Sequence, residues 1–388
     1  MKLLTYLILA VATFPFVYYL LVLYSSWRFI RDSAALQASH SDFTPPVSNL
    51  KPIRGLDPDC YENFATFCQQ DYPEYEILFC VGDRADPVLP VVEKLQRDFP
   101  ERRIRVFYGV DRQAANDKVL KLARLVREAA YDTLVISDSD VRVARDYLRT
   151  MVAPLANSKV GAVTCLYAPA DEKTFVDRLQ TIGMVSDFYP GILVARLLDG
   201  VKFALGTSIG TTKKHLAAFG GYDSIAEKPG DDLLVGRFIA EQGYEVVLLP
   251  HTVLTVADFQ EFSGLVHKRM RWLVVMRHMR PWGHVGLVFT QGLAWSVAAV
   301  AMLPVWPVAA GYFGAYMVLR MAMTWLIGSG ILKQRGMWRK FVLIPLWDAL
   351  AFGVWLVSFF RRSIRWRDGQ YYIRDGALVP IAQSTPQK

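Results

Sequence analysis

Three groups of side chains in this sequence have the residue types and the order that sugar transfer chemistry requires. Asp138-Ser139-Asp140 ends an apolar run, Asp231-Asp232 follows later in the chain, and Lys268-Arg269-Met270-Arg271-Trp272 comes last. Two carboxylates can hold a divalent metal on a diphosphate, a further carboxylate can accept a proton, and an arginine beside a tryptophan can bind a charged leaving group. Together these functions would transfer a sugar from a nucleotide diphosphate sugar.

Asp138 and Asp140 are the candidate metal ligands. If the chain is extended here, both carboxylates point to the same side and can approach one oxygen-preferring cation, Mg²⁺ or Mn²⁺. Leu134-Val135-Ile136 predicts a buried strand just before them, which is the rigid support that a metal site needs. Taken alone, a D-x-D pattern is more often a solvated turn at the end of a strand.

Asp232 is the candidate catalytic base. Asp231-Asp232 follows Lys228-Pro229-Gly230 and precedes apolar residues, a pattern that predicts the first turn of a helix, where carboxylates are favoured. Simple N-terminal capping is therefore the alternative. As a base, Asp232 would take a proton from an acceptor hydroxyl as that oxygen attacks the anomeric carbon, so its position matters more than its basicity.

Other polar residues are candidate contacts for the substrates. Asp83 follows a predicted strand and can accept a hydrogen bond from a base or ribose, although a turn-forming Asp fits the pattern equally well. Lys51, just before Pro52, and Lys118 can neutralise phosphate oxygens, and solvated surface charges are the alternative. The candidate substrate-binding residues are Lys51, Pro52, Asp83, Lys118, Asp231, Lys268, Arg271 and Trp272.

Arg271-Trp272 has two compatible interpretations. The pair can lie at the membrane surface, with Trp272 among the lipid headgroups and the long Arg271 side chain reaching toward water beside it. It can also serve a site, with the guanidinium bound to the diphosphate and the indole packed on the acceptor. A site at the membrane surface would use both properties.

Short apolar strands alternate with helical stretches between residues 47 and 254. We predict strands at 76–81, 104–109 and 133–137 and helices at 90–97 and 118–128. This alternation predicts an α/β domain with a mostly parallel sheet, whose ligand site lies at the carboxyl ends of the strands. Asp83 and Asp138 both follow such ends.

The composition favours a soluble domain joined to membrane segments. The chain has 388 residues, of which 53% are hydrophobic, and its mean hydropathy is positive. Residues 3–24 form an apolar run that can cross a hydrocarbon core about 30 Å thick. A signal peptide is the alternative, but bulky Tyr18, Tyr19 and Tyr24 replace a small-residue cleavage site. Residues 285–303, 309–332 and 341–360 are further candidate spans.

These patterns divide the chain into six regions. We predict an anchor at 1–27, a linker at 28–46, the catalytic domain at 47–261, an amphipathic interfacial helix at 262–282, membrane segments at 283–360 and a basic tail at 361–388. The last candidate span is ambiguous because basic clusters flank both its ends and Asp348 lies near its middle, so it either crosses or re-enters.

The charges predict the partners and the orientation. Much of the net charge of +8 lies beside apolar segments, which favours anionic lipid headgroups over nucleic acid as the partner. Arg28 and Arg31 follow the first span, and the positive-inside rule then predicts a cytoplasmic domain. The four cysteines show neither zinc spacing nor a disulfide pattern, which fits a reducing compartment. The expected location is the bacterial inner membrane.

The order of these motifs resembles the ceramide glucosyltransferase family, which includes the bacterial glycosyltransferases of hopanoid biosynthesis. The resemblance rests on Val47-Ser48-Asn49-Leu50-Lys51-Pro52 with Gly55, Asp71-Tyr72-Pro73, Cys80-Val81-Gly82-Asp83 with Asp86-Pro87, Asn116 and Lys118, Asp138-Ser139-Asp140-Val141-Arg142-Val143, Gly220-Gly221-Tyr222, Asp231-Asp232, Arg271-Trp272 and Trp366-Arg367-Asp368-Gly369-Gln370-Tyr371. It implies a GT-A-type nucleotide-sugar-binding domain with membrane-spanning helices at both ends.

The resemblance also implies roles for single residues. Asp83 would contact the uridine, and Asp138 with Asp140 would serve the metal and the diphosphate. Asp232 would be the base of an inverting single displacement. Lys268, Arg271 and Trp272 would form the family's Q/R-x-x-R-W element, but Lys268 stands where the family has Gln or Arg, and Asp231 stands where relatives commonly have Glu.

The implied function is transfer of one sugar from a UDP-sugar, preferably UDP-glucose, to a lipid hydroxyl, preferably of a ceramide-type sphingolipid. Three alternatives stay open: a hopanoid glycosyltransferase that uses UDP-N-acetylglucosamine, a processive polysaccharide synthase, and a nucleotide-sugar-binding scaffold without activity. A processive synthase needs a membrane channel for its polymer, and one span before the domain with three after it favours single transfer. Diacylglycerol is a further possible acceptor.

Overall fold

A mixed sheet of eight strands forms the centre of the α/β domain. The structure is a computed structural model that describes residues 2–38, 42–256, 261–366 and 369–381. The strands of the large sheet are β1 (Val47–Pro52), β2 (Tyr75–Val81), β3 (Arg103–Tyr108), β4 (Thr133–Ser137), β5 (Val141–Arg142), β6 (Val160–Pro169), β7 (Ser208–Thr212) and β8 (Glu245–Thr255). Three more strands, β9 (Ser363–Trp366), β10 (Gly369–Arg374) and β11 (Ala377–Pro380), form a small antiparallel sheet.

The large sheet has the strand order β3-β2-β1-β4-β7-β6-β8-β5. Strands β1 to β4 run parallel to one another, as do β6 and β8, while β7 is antiparallel to both of its neighbours and β5 is antiparallel to β8. The prediction of a mostly parallel sheet is therefore confirmed. Because β1 pairs with β4 in register Leu50 to Ile136, the carboxyl ends of these strands meet at one edge.

Fifteen α-helices accompany the strands in the described residues. They are α1 (Lys2–Val11), α2 (Phe14–Ala38), α3 (Cys60–Cys68), α4 (Leu89–Asp98), α5 (Asp117–Glu128), α6 (Tyr147–Val152), α7 (Phe175–Gly183), α8 (Tyr189–Asp199), α9 (Lys213–Ala217), α10 (Asp231–Glu241), α11 (Phe262–Met279), α12 (Pro281–Gly286), α13 (Gly292–Met302), α14 (Trp306–Trp325) and α15 (Ile344–Ser358). A π-helical turn, Met184–Phe188, joins α7 to α8 without a break in the helical path.

The strand β2 shows why the sheet is buried on both faces. Ile77 and Phe79 belong to the apolar cluster that contains α3 and α4, whereas Leu78 and Cys80 belong to the cluster that contains α5 and α10. A strand between two helical layers has a continuous apolar sequence, and this pattern predicted β2. The predicted strands and helices between residues 76 and 137 are confirmed to within one residue at each end.

The membrane segments differ in part from the expected ones. By length and hydropathy, Lys2–Ser33 and Met337–Ser358 are long and apolar enough to span a membrane, and Pro281–Thr290 with Gly292–Met302 forms a pair bent by 57°. These match three of the predicted spans. Helix α2 continues to Ala38, so much of the region predicted as a linker is helical. Residues 39–41 of that region lie outside the described residues.

The hydropathy of helix α14 and of the segment Phe175–Asp199 differs from the predicted set of membrane spans. Helix α14 covers most of the predicted span 309–332, yet it is not among the helices of the described residues that meet the hydropathy criterion. Phe175–Asp199 meets the criterion, although 56% of its most apolar window is buried inside the protein. This segment comprises α7, the π-helical turn and α8, and it packs between the domain and α2, so tertiary contacts account for much of its apolar surface.

Asp348, which made the last span ambiguous, is paired inside the protein. Its carboxylate accepts a hydrogen bond of 2.9 Å from Nε of Arg320 and one of 2.8 Å from the hydroxyl of Tyr316, both on α14. Arg320 also donates to the backbone oxygen of Ser186 in the π-helical turn. A buried charge is stable only when paired, so these bonds hold α14, α15 and the π-helical turn together.

The C-terminal region folds against α11. Ile364, Ile373 and Leu378 of the small sheet share an apolar cluster with Val274 of α11. The backbone nitrogen of Leu378 donates to the backbone oxygen of Glu227, just before α10, at 2.7 Å. Of the family's closing motif, residues 367 and 368 lie outside the described residues, as do residues 257–260 of the domain and 382–388 of the tail.

Candidate active site

Asp138 and Asp140 lie at the carboxyl edge of the sheet, directly after β4, as predicted. Two hydrogen bonds hold the turn that they form. The hydroxyl of Ser139 donates to the carboxylate of Asp57, and the backbone oxygen of Asp140 accepts from the backbone nitrogen of Val256 at 2.9 Å. The short β5 then pairs with β8. The two carboxylates thus occupy a rigid position between the loop after β1 and the end of β8.

Lys51 lies beneath this turn and is fully buried. Its ammonium donates to the hydroxyl of Ser137 at 3.1 Å and to the backbone oxygen of Asp138 at 3.0 Å, and it lies 3.4 Å from the ring centre of Phe67. Burial lowers the pKa of Lys51 to about 7, against the opposing effect of Asp138 and Asp140. In this place Lys51 supports the aspartate turn from below, and its contact with phosphate oxygens stays a prediction.

Lys118 connects the two groups of carboxylates. Asn116 caps α5 by accepting from Val119 at 3.3 Å, which sets Lys118 in the first helical turn. Its ammonium lies 2.7 Å from a carboxylate oxygen of Asp138 and 3.6 Å from one of Asp231. Burial opposes the charge of Lys118, but the attraction of Asp138 and Asp231 prevails and raises its pKa. The candidate metal site and the start of α10 therefore belong to one cluster.

Asp232 is oriented by two backbone hydrogen bonds. Gly230 adopts φ of 72°, which only glycine takes readily, and lets the chain turn into α10. Oδ1 of Asp232 then accepts from the nitrogen of Leu233 and Oδ2 accepts from the nitrogen of Gly206, each at 2.9 Å. Burial, followed by the charge of Asp231, raises the pKa of Asp232 to about 6. A fixed carboxylate with a pKa near neutrality has the properties of a general base.

The electrostatics around Asp140 fit a divalent cation. Burial, followed by the charges of Asp138 and Asp57, raises the pKa of Asp140 to about 7, although Lys268 opposes this shift. Ionised carboxylates crowded in a buried place are stabilised by a cation, and an oxygen-only donor set matches Mg²⁺ or Mn²⁺. Among the described residues, no three His, Cys, Asp or Glu side chains form a complete metal site. Phosphate oxygens of a donor would have to complete the coordination.

Lys268 and Trp272 on α11 border the same centre. The charges of Asp140 and Asp138 act on Lys268, whose pKa burial lowers to about 8. The charge of Arg271 acts on Lys268 as well, which places Arg271 beside it. The Lys268 ammonium lies 5.3 Å from the ring centre of Trp272, and this ring contacts that of Phe188 in the π-helical turn, with centres 5.2 Å apart and planes tilted by 31°. The predicted element therefore lies next to the carboxylates.

Asp83 and Pro52 occupy the same edge of the sheet, farther from the carboxylate cluster. Pro52 ends β1 and is buried. Asp83 is exposed just after β2, where its carboxylate accepts from the nitrogen of Ala85 at 2.7 Å and shapes a turn. Asp83 and Asp138 thus follow the ends of two strands at one edge of the sheet, whereas Trp272 lies on α11.

Sequence reasoning missed three residues of the centre. Asp57 accepts a hydrogen bond from Ser139 in the aspartate turn. Burial raises the pKa of Tyr167 on β6, and the nearby charges of Asp232, Asp140 and Asp138 raise it further. The hydroxyl of Tyr222 is buried without a hydrogen-bond partner near Asp231. Tyr222 had a signal, since Gly220-Gly221-Tyr222 is one of the motifs of the family resemblance, but it was given no role; Asp57 and Tyr167 had none.

Gly206 controls the position of Asp232, and its substitution tests this arrangement. A Cβ at residue 206 would lie 2.9 Å from Oδ2 of Asp232, so Gly206→Ala must displace the carboxylate. Because displacement of a catalytic group by about 1 Å can cost roughly 100-fold, we expect turnover to slow by roughly one to two orders of magnitude while the KM for the donor stays unchanged. Steady-state kinetics would measure both. Gly191→Ala in α8 is the control, since its Cβ meets open space; equal turnover in the two variants would contradict the assignment.

Comparisons with known proteins identify the family. The model of glycosyl transferase family 21 matches residues 6–379. Ceramide glucosyltransferase 3 of Caenorhabditis elegans is 25% identical over 345 residues, which are 86% of this chain and 74% of that protein. A ceramide glucosyltransferase of Gibberella zeae is 30% identical over 168 residues, which are 41% of this chain and 31% of that protein.

A solved structure shows the fold. A mannosyltransferase from Pyrobaculum calidifontis, in complex with GDP-Man and Mn²⁺, matches with a TM-score of 0.51 at 18% identity, over 89% of this chain and 99% of that chain. The predicted GT-A fold is confirmed, as is the predicted family. The chain belongs to glycosyl transferase family 21, the family of the ceramide glucosyltransferases, and it is a membrane glycosyltransferase.

Proposed function

We propose that this enzyme transfers one sugar from a UDP-sugar, preferably UDP-glucose, to the hydroxyl of a membrane lipid, preferably of the ceramide type, with inversion. The observation that carries the proposal is the bridge from Asp138 through Lys118 to Asp231, directly before Asp232. It holds the candidate cation site and the candidate base around one small space. The ceramide glucosyltransferases among the relatives support the choice of sugar and lipid.

The donor would lie along the carboxyl edge of the sheet. Asp83 would accept from the uridine, and Asp138 with Asp140 would hold Mg²⁺ or Mn²⁺ on the diphosphate. When bound, the cation would neutralise charge that develops on the leaving phosphate. Lys268 and Arg271 would bind the diphosphate from the α11 side, with Lys268 acting as a point charge where a guanidinium would form two parallel bonds.

Asp232 would carry out the proton transfer. Its free lone pairs would accept the proton of the lipid hydroxyl while that oxygen forms the new bond to the anomeric carbon. The bond from this carbon to the diphosphate breaks on the opposite face, and UDP leaves with the electron pair. The hydrogen bonds from the backbone nitrogens of Gly206 and Leu233 would hold the carboxylate in a fixed orientation during this step. One displacement inverts the configuration and requires no covalent sugar on the enzyme.

The acceptor would reach this centre from the bilayer. Helix α11 would lie at the membrane surface, where Trp272 would meet the headgroups and pack on the acceptor. Arg28 and Arg31 at the end of the first candidate span support a cytoplasmic orientation of the domain. The membrane would be the bacterial inner membrane. Neutral and anionic lipids are the expected partners, and nucleic acid is not.

A panel of donors and acceptors tests the proposal. Purified full-length protein would be incubated with several UDP-sugars, Mg²⁺ or Mn²⁺, and ceramide, a hopanoid polyol or diacylglycerol, and the products would be identified by mass spectrometry. We expect one added hexose on ceramide with UDP-glucose. A product from UDP-N-acetylglucosamine and the hopanoid would support the hopanoid alternative, and a ladder of masses would indicate a polymerising enzyme. Hydrolysis or no reaction with every pair would refute lipid glycosylation.

A further inference from the structure

The contact between Lys118 and Asp231 depends on two loops that are distant in the sequence. The Lys118 loop (residues 110–116) leads into α5, whose first turn carries Lys118. The Asp231 loop (residues 226–230) leads into α10, whose first residue is Asp231. The 3.6 Å between the Lys118 ammonium and the Asp231 carboxylate therefore depends on how these loops are held against each other.

Two hydrogen bonds hold the loops together. The backbone nitrogen of Asn116, which caps α5, donates to the backbone oxygen of Ala226 at 3.1 Å. The backbone nitrogen of the preceding residue, Ala115, donates to Oε2 of Glu227, also at 3.1 Å. Because both donors lie directly before α5 and both acceptors lie in the Asp231 loop, these bonds set where α5 and α10 begin relative to each other.

Glu227 also binds a third part of the chain. Its backbone oxygen accepts from the backbone nitrogen of Leu378 in β11 at 2.7 Å, and its Oε1 lies 3.6 Å from Nη1 of Arg112. One residue thus connects the Lys118 loop, the Asp231 loop and the small C-terminal sheet.

The C-terminal sheet is a firm support for this connection. Leu378 is buried and packs with Ile373 and with Val274 of α11, and Ala115 packs against the same cluster. A two-residue turn pairs Arg374 with Ala377, so the N–H of the next residue, Leu378, points away from β10. This register directs that N–H to Glu227.

The side chain of Glu227 contributes geometry more than stability. It is 51% exposed and its partner Arg112 is 46% exposed, and exposed ion pairs contribute little to folding. Only three residues separate Glu227 from Asp231, and one of them, Pro229, has a fixed φ. A movement of Glu227 is therefore passed on to the start of α10, where Asp232 lies.

We propose that Glu227 is a positioning residue for sugar transfer and that the C-terminal sheet, through Glu227, is a structural part of the active site. This inference rests on the proposed function. Glu227 would touch no reacting atom. Through Ala115 it would fix Lys118, and through the short segment after it it would fix Asp231 and the candidate base, Asp232.

Two substitutions of Glu227 separate its hydrogen bond from its charge. Glu227→Met keeps the length of the side chain but offers the Ala115 nitrogen no oxygen, whereas Glu227→Gln keeps an oxygen and loses the charge. We expect kcat of Glu227→Met to fall about tenfold, since small displacements of a catalytic group slow a reaction strongly. Glu227→Gln should stay near wild type.

The KM for the UDP-sugar should not change in either variant. The turn that carries Asp138 has its own hydrogen bonds, from Ser139 to Asp57 and from Val256 to Asp140, and these do not involve Glu227. Steady-state kinetics of the full chain in detergent, with UDP-glucose and a ceramide acceptor, would measure both constants. Thermal unfolding would verify that each variant is folded.

Glu128→Met is the matched control. Glu128 ends α5, at the opposite end from Lys118, and its partly exposed carboxylate lies 3.7 Å from Nη2 of Arg105. This variant also removes an acid that faces an arginine, and it should turn over as wild type does. Unchanged kcat in Glu227→Met, or an equal loss in Glu227→Gln and Glu227→Met, would overturn the proposal.

Hydrogen exchange of the amides in residues 228–234 keeps the test independent of transfer. These residues include the first turn of α10, and they should exchange faster in Glu227→Met than in wild type or Glu227→Gln. If wild type transfers no sugar from any UDP-sugar to any lipid, the proposed function is refuted, and the exchange rates alone decide whether Glu227 positions α10. Equal exchange in all three proteins would then overturn the positioning role as well.

Discussion

Asp232→Asn is expected to lower kcat by roughly 1,000-fold while the affinity for UDP stays the same. Asparagine keeps the size of the side chain and an oxygen for the Gly206 nitrogen, but it cannot accept the proton of the acceptor hydroxyl. Donor binding depends on the other end of the site, around Asp138. Single-turnover transfer and UDP titration of the same preparation would measure both quantities.

The pH dependence gives a second measure of the same carboxylate. Since burial raises the pKa of Asp232 to about 6, the wild-type rate should fall as the pH decreases through this value. Asp232→Asn should lose this step and keep only the decrease caused by protonation of Asp140, whose pKa burial raises to about 7. An acid whose pKa is raised by folding destabilises the folded state when ionised, so the variant should unfold at the same or a higher temperature above pH 7.

Glu241→Gln, at the exposed far end of α10, is the matched control and should leave the rate unchanged. A rate of Asp232→Asn within tenfold of wild type, with the protein folded, would show that another group is the base.

Asp138→Asn is expected to lower kcat/KM by roughly 100-fold to 1,000-fold, mainly through weaker binding of the cation and the donor diphosphate. Cation stabilisation of phosphate charge is worth several kcal/mol, and each 1.4 kcal/mol is a factor of about ten. The substitution also removes the charge that faces Lys118 at 2.7 Å. Titration of UDP-sugar binding with Mn²⁺ and with a chelator should show a metal-dependent gain in wild type that is reduced in the variant.

Asp132→Asn is the control because this exposed residue precedes the same strand, β4, at its opposite end. It should bind cation and donor as wild type does. Full activity of wild type in excess chelator would contradict a metal-assisted reaction, and unchanged Mn²⁺ affinity of Asp138→Asn would exclude this aspartate as a ligand.

The local order of polar and apolar residues determined much of the domain. Strand β4 and helix α5 were predicted almost residue by residue, because a strand between two helical layers is continuously apolar and a helix over the sheet repeats its apolar face. The position of Asp138 after β4 followed directly, since parallel strands present their carboxyl ends at one edge.

Only the tertiary structure decided what these residues do for one another. Lys51 and Lys118 are equivalent in the sequence as basic residues near phosphate motifs, yet one lies buried beneath Asp138 and the other bridges Asp138 to Asp231. Their difference depends on the register of β1 with β4 and on the approach of α10, which are contacts between distant parts of the chain.

The segment Phe175–Asp199 also has a role that the local sequence does not predict. Its composition is that of a membrane span, but more than half of its most apolar window is buried, and its Gly183 lies directly against the Trp347 ring of α15. The sequence by itself determined the fold class, the order of the motifs and the chemistry available to them, because these depend on local polarity and residue type. Which groups share one site depends on long-range packing, and this only the folded chain decided.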